Sequence, residues 1–386
     1  MKKKQFKMTR RQLLKAGMIG GAGLMLPWKF KLPRAFAATQ GPGLSDPVLQ
    51  PKFANAVPNA LDPGFIYDTS KGKIKVAVGQ TVQMTGLVAP DGVTPVSTTV
   101  WGYGDNKFYT WPGRTFQVRS YEPLEVKWEN RLGGLPYLIT GKDNTSIGFG
   151  DYTGRSVVDT NLHWAYSLHG YTQYSIEKDG VPIVAHVHGG HSDFQFDGNP
   201  EFFYGPQIKK KQVVGPQWAN VPGGFTTKFR YDNNVPAGNL WYHDHALGIT
   251  RLNVYAGLAG FYFVRDGEDT GDASNTLGLP YWPYEKAYAI QDRMFLATGE
   301  LFYPAFPGDP YYEDFITGEG AVLPPGLFPG GGPTALAEFF GDHMVVNGMI
   351  WPKMNVEPRN YRLRFLNGCD SRFLAAQFFE VPAGAT

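Results

Sequence analysis

Several short stretches of the chain alternate polar and apolar residues with a period of two, among them Lys73-Ile74-Lys75-Val76-Ala77-Val78 and Leu124-Glu125-Val126-Lys127-Trp128. That is the period of a half-buried strand. Residues Thr226 to Tyr231, Asn239 to His243 and Gly257 to Val264 continue it, and Pro112-Gly113, Gly133-Gly134, Val221-Pro222-Gly223-Gly224 and Pro236-Ala237-Gly238 supply turns between runs. The pattern predicts an all-β protein built as a sandwich or barrel. A second β pattern starts at Ala287 to Asp292 and resumes at Met344 to Gly348 and Tyr361 to Leu366. Between the two patterns, Asp266-Gly267 and the acidic, small-residue run Glu268 to Ser274 mark a boundary. The predicted division is 1–37 leader, 38–63 extended surface arm, 64–266 first domain and 267–386 second domain, with irregular stretches at 131–180 and 301–333. A sandwich takes about 100 residues and seven strands. The second domain is therefore expected to be unfinished at Thr386, with an edge left unpaired.

Composition agrees with many strands and turns: 48 glycines, 30 prolines and 15% aromatic residues. The net charge is only +2, with much of the positive charge at the N-terminus, which leaves no basic excess to argue for nucleic acid. The single cysteine, Cys369, excludes an intramolecular disulfide. The first residues read as an export signal: basic Met1 to Lys7, then Thr9-Arg10-Arg11, an apolar run from Ala16 to Leu26 and a small-x-small site at Ala35-Phe36-Ala37. The apolar run is shorter than the ~20 residues that span a bilayer, and no other segment reads as a stable membrane span. The paired arginines resemble the twin-arginine type, which predicts a periplasmic or extracellular protein beginning near Ala38.

Candidate chemistry sits in two of the strand-like runs. Ala185-His186-Val187-His188-Gly189-Gly190 and Trp241-Tyr242-His243-Asp244-His245 hold four of the eight histidines. Residues i and i+2 of a strand share a face, so each pair aims two imidazoles one way. Imidazole ligates copper, zinc, iron and nickel, and two such pairs predict a metal site rather than two sets of hydrogen-bonded core histidines. Asp244 points away from both neighbours, either as an acceptor for a ligand's second ring nitrogen or as a solvated carboxylate. Gly189-Gly190 leaves room beside the imidazoles. His163, His169, His191 and His343 lack partners at ligand spacing and read as structural or surface residues, with His191 near enough to His188 to sit behind the ligands.

The run Asn239-Leu240-Trp241-Tyr242-His243-Asp244-His245-Ala246, continued through Thr250 to Gly260, resembles the second copper-binding segment of multicopper oxidases, most of all the branch of bacterial spore-coat laccases and bilirubin oxidases. His186-Val187-His188-Gly189-Gly190 resembles the family's first copper segment, and Pro112 to Phe116 its early strand. Val346-Asn347-Gly348, Trp351-Pro352 and Glu357-Pro358-Arg359 resemble the start of its second domain. The resemblance covers most of residues 60 to 386 and implies cupredoxin-like Greek-key sandwiches. It makes His186 a ligand of a type 2 copper, and His188, His243 and His245 ligands of a type 3 pair. Asp197, in Phe196-Asp197-Gly198, matches a family carboxylate that assists proton delivery to oxygen; the alternative is a turn residue before Gly198. The implied reaction couples one-electron oxidation of a phenol, pigment or metal-ion donor to reduction of dioxygen to water. The family's third domain would supply the other cluster histidines and the type 1 copper, and nothing in this sequence matches it; Cys369, in Asn367-Gly368-Cys369-Asp370, has no neighbouring histidine and reads as structural. The expectation is therefore an N-terminal portion with half of the cluster ligands, inactive alone, the third domain being supplied in cis or in trans. The alternatives are a periplasmic copper-binding protein and a non-catalytic scaffold, the second disfavoured by the four retained histidines.

Overall fold

The computed structural model describes residues 43–105, 108–135, 138, 179–303 and 339–379. These fall within the unit Gly41–Thr386. The leader, His163, His169 and most of the stretches 131–180 and 301–333 lie outside the described residues.

The alternating runs become strands, four of them longer than the alternation marks. In chain order they are β1 (Lys73–Val88), β2 (Pro95–Asp105), β3 (Phe108–Thr110), β4 (Gly113–Arg119), β5 (Leu124–Asn130), β6 (Ala185–His188), β7 (Lys228–Tyr231), β8 (Gly238–Asp244), β9 (Ala259–Arg265), β10 (Glu285–Phe295), β11 (Leu301–Phe302), β12 (His343–Val346), β13 (Met349–Ile350) and β14 (Arg362–Asn367). One sheet has the order β3-β2-β1-β5-β7 and a second the order β4-β9-β8-β6. The chain crosses repeatedly from one to the other. As a result β1 runs parallel to β5 and β4 parallel to β9, while their other neighbours are antiparallel. This is the expected all-β sandwich.

The core lies where the two sheets face each other. Val76, Val78, Trp101, Tyr103, Val126 and Trp128 come from the first sheet, and Phe116, Val118, Tyr242, Tyr262 and Val264 from the second, all buried. Tyr242 is at its centre, with ring centroids 4.8 Å from Tyr103, 5.0 Å from Phe116 and 5.9 Å from Trp128. Aromatic pairs at these separations add about 0.5–1.5 kcal/mol each beyond area burial. Glycine makes room for it: a Cβ on Gly260, which pairs with Tyr242 across β8 and β9, would come within 2.6 Å of the ring.

Among the described residues an α-helix, α1 (Thr250–Ala256), interrupts the pattern between β8 and β9. Its threonine, valine and tyrosine favour strand, yet it is helical and buries Leu252, Asn253, Tyr255 and Ala256. Gly257 ends it with φ +129°, in a place where any Cβ would strike the Trp101 carbonyl. No helix among the described residues is long and apolar enough to cross a membrane.

A third sheet, β11-β10-β12-β13 with β14 pairing β10, forms from the second β pattern. A buried ionic network ties it to the first sandwich. Arg265, at the end of β9, donates to Asp269, to both oxygens of Glu285 on β10 and to Gln117 on β4. Arg364 on β14 reaches the same two carboxylates, and Arg362 reaches Asp269. Burial works against the Asp269 charge, but its bonds to Arg362 and Arg364 hold the carboxyl down at about 2. The arm is more embedded than a surface segment: Leu44, Ser45, Gln50, Asn59, Ala60 and Leu61 are buried, and it bonds to Phe295, Trp351 and Lys353 as it passes. Its polar residues turn inward because they cap strand backbones; Asn59, for instance, bonds to Glu285 O and Ala287 N.

Glu285 is 1% exposed and faces Arg265 and Arg364. Glu285→Ala leaves two buried guanidinium groups sharing one carboxylate, and is expected to cost about 3–5 kcal/mol of unfolding free energy, the usual result of breaking a buried pair from one side. Urea unfolding measures it, and a loss below about 1 kcal/mol would show the network to be dispensable.

Candidate metal centre

Strands β6 and β8 pair antiparallel with His186 directly opposite His243 and Ala185 opposite Asp244. Alternation sends Ala185, Val187 and Tyr242 toward the core, where all three are buried. It sends His186, His188, Trp241 and His243 to the outer face of the same sheet, and His245 joins them just past the end of β8. The four imidazole rings gather there with neighbouring centroids 5.2–5.6 Å apart. One ligating atom each from His186, His188 and His243 lie within 4.8 Å of one another. His188 Nδ1 and His243 Nε2 approach to 3.4 Å.

The surroundings decide which ring nitrogens stay available. His186 Nδ1 is held by the Asp197 carbonyl, with the Asp197 carboxylate 3.7 Å away. His243 Nδ1 is 2.7 Å from the Asp244 carbonyl. In both rings Nε2 is left for a ligand. His245 Nδ1 is buried with no hydrogen-bond partner, an orphan that a metal ion would satisfy. Gly198 makes the Asp197 contact possible: at φ +76° its missing Cβ lets the loop lie against the backbone of Ala185 and His186. Trp241 stacks on both His188 and His243, at 5.2 and 4.2 Å.

Burial drives His243 down to about 3, with the other histidines adding to it against the pull of the Asp244 carbonyl. His188 and His245 are lowered as well, in both cases first by desolvation and then by His186. Neutral imidazole is the ligating form, so this electrostatic setting prepares the rings for a cation and against protons. The donor set, all imidazole with one unpartnered nitrogen, fits a copper or zinc ion.

The structure thus brings together the four histidines and Asp197. Asp244 fits neither of its expected readings. It is fully buried and accepts from Val184 N–H, Ala246 N–H and the Asn253 side chain, and among the described residues no ring nitrogen bonds to its carboxylate. Burial raises its carboxyl to about 7 in spite of those bonds. His191 is exposed. His343 is completely buried between Ser45 and Asp342 as part of the third sheet's packing. Cys369 Sγ lies 3.7 Å from the Ile290 carbonyl, and burial pushes the thiol up to about 12, as for a structural cysteine. Sequence reasoning gave no part to Trp241 or Asn253. A tryptophan two residues before a strand histidine shares its face, which was signal enough for the first; the second depends on α1.

No protein-family model matches the chain. Among curated proteins, it is 32% identical over 275 residues to a laccase of Bacillus stratosphericus, covering 71% of this chain and 42% of that protein. It is 28% identical over 368 residues to a laccase of Haloferax volcanii, covering 94% of this chain and 49% of that one. With a multicopper oxidase of Arabidopsis thaliana it shares 33% over 282 residues, 72% of this chain and 38% of the relative. The chain spans less than half the length of each of these relatives. Among solved structures, a variant of a multicopper oxidase from Aquifex aeolicus aligns with a TM-score of 0.49 and 19% identity over 83% of this chain and 47% of that one. The sequence matches bear out the resemblance read from the histidine motifs.

The depressed imidazole basicity has a consequence for the metal-free protein. Unfolded, His243 takes up a proton below its ordinary value of 6.5; folded, it refuses one until about 3. Its contribution to stability is therefore intact above that ordinary value and is lost as pH falls through the interval. Thermal unfolding of wild type and His243→Gln between about pH 7 and about pH 4.5 is expected to show the steeper decline in wild type. Parallel declines would refute the buried-neutral assignment.

Proposed function

We propose, taking kinship with the multicopper oxidases as the premise, that His186, His188, His243 and His245 hold copper and that the chain serves a laccase-like, copper-dependent oxidoreductase. The observation that carries this reading is the convergence of four imidazoles, His243 among them buried, on one sheet face, with neighbouring centroids 5.2–5.6 Å apart. Copper bound there would supply one-electron redox cycling, which imidazole donors support. The reaction proposed is one-electron oxidation of a phenolic, pigment or metal-ion donor coupled to reduction of dioxygen to water.

The chain's own residues have definable parts in it. The carbonyl of Asp197 fixes the His186 ring with Nε2 outward, and the carbonyl of Asp244 does the same for His243. Trp241 covers two of the rings and limits water on that side. The Asp197 carboxylate, half exposed beside His186, is placed to pass protons between solvent and the site. Export by the twin-arginine-type leader to the periplasm or outside the cell belongs to the same proposal, since that route carries folded, loaded proteins.

A second reading, a copper-binding protein without oxidase chemistry, has one observation in its favour. Cys369, the only cysteine, is bonded to the backbone of β10 and is held as an inert thiol. It therefore offers this chain no thiolate for electron entry.

Copper analysis of the protein loaded with Cu(II) and desalted tests both. Wild type is expected to retain copper, and a His186→Ala/His243→Ala double variant to lose at least half of it. Equal copper in the two would overturn the site. Oxygen uptake by the loaded protein with a phenolic donor then separates the readings: uptake supports the oxidase, and retained copper without uptake supports binding alone.

A further inference from the structure

Asp244 stands between two histidines of the site yet faces the opposite side of the strand. Its Oδ2 accepts the Val184 N–H at 2.9 Å. Its Oδ1 accepts the Ala246 N–H at 3.1 Å and the Asn253 side-chain amide at 2.7 Å. Asn253 lies on α1, and its amide also donates to the Pro182 carbonyl at 3.1 Å. Close by, the His245 N–H donates to the Val184 carbonyl at 2.8 Å. These bonds knot three segments at one point: the approach to β6, the exit of β8 and the helix. The first two segments carry the four histidines. None of the side chain's three partners is a cation, and no charge–charge attraction accounts for an acid buried here.

We propose that Asp244 is a positioning residue for the metal centre, locking the exit of β8 onto the approach to β6 so that His243 and His245 face His186 and His188, with Asn253 holding the carboxylate in place. The proposal rests on the metal-site reading above. It explains why an acid occupies a fully buried position. Three N–H donors converge on two oxygens, and only a carboxylate accepts all three. An asparagine would turn an NH₂ group toward at least one donor, leaving buried groups unpaired in the hinge between the two histidine pairs. The His245 ring is the most exposed to such a change, because its Nδ1 has no hydrogen-bond partner to orient it.

Asp244→Asn and Asn253→Ala test this, the second being the milder change if the first does not fold. Cu(II) affinity is measured by titration followed by electron paramagnetic resonance, and ring orientation by the imidazole ¹⁵N shifts of the metal-free protein. The expected result for folded Asp244→Asn is a ten- to hundredfold loss of Cu(II) affinity, the usual effect of removing a residue that orients metal ligands, with altered shifts at His243 and His245. Asn253→Ala is expected to move both readouts in the same direction by less. Affinity within twofold of wild type in folded variants overturns the proposal, whatever the shifts. If wild type binds no copper, the metal reading itself fails. The shifts then decide alone: unchanged His243 and His245 signals overturn the positioning role, and changed ones support it.

Discussion

The antiparallel register of β6 on β8 is the constraint on which the site depends. It sets His186 against His243 and Ala185 against Asp244. A slip by one residue would turn one histidine pair into the core and bring Val187 and Ala185 out. The surrounding packing guards against that slip. Val187 and Tyr242, themselves a pair in the register, are both buried, and the Tyr242 hydroxyl is anchored on the Arg114 carbonyl. The sandwich core and the histidine face are thus two sides of the same few residues of strand.

Holding that face together has a cost, and the fold meets it locally. Imidazoles withdrawn from water lose basicity, and His243 loses most because it is the most buried of the four. In return His188, His243 and His245 resist protonation beside His186, which shares their face. The third sheet contributes from behind. Arg293, buried on β10, donates to the carbonyls of Val254 and Tyr255 in the C-terminal turn of α1, where the Val254 carbonyl also takes the Gly257 N–H. Its cation also suits the negative end of the helix that carries Asn253. The second β pattern therefore supports the histidine face without touching it.

Much of this was legible in the sequence, and the rest was hidden for identifiable reasons. The His-x-His spacing and the strand period place the histidines on one face without further information. They also show that Asp244 points away. What it meets was not legible: Val184 is sixty residues earlier, and Asn253 reaches it only because Thr250–Ala256 is helical in a run whose valine and tyrosine favour strand. Strand β2 passed unmarked because Ser97-Thr98-Thr99 in its first half breaks the apolar rhythm, although Thr98 is buried against Thr85. The charges at Arg265, Glu285 and Arg364 carry no sign of burial in the sequence. Their burial comes from sheets packing together, which no local pattern reports. The arm was misjudged for the same reason, since its asparagine and glutamine side chains serve neighbouring backbone groups rather than water.

Tyr242 and His243 are adjacent residues on opposite faces of a single strand. Any mutation that repacks the interior around the tyrosine shifts the backbone from which the histidine projects. Heat resistance and ligand geometry are consequently not independent traits in this architecture, whether selection or a laboratory does the choosing. Variation around the histidine face is freer in the Ser192–Asn199 loop, which touches it through Asp197, belongs to no strand and is buried only at Gly198.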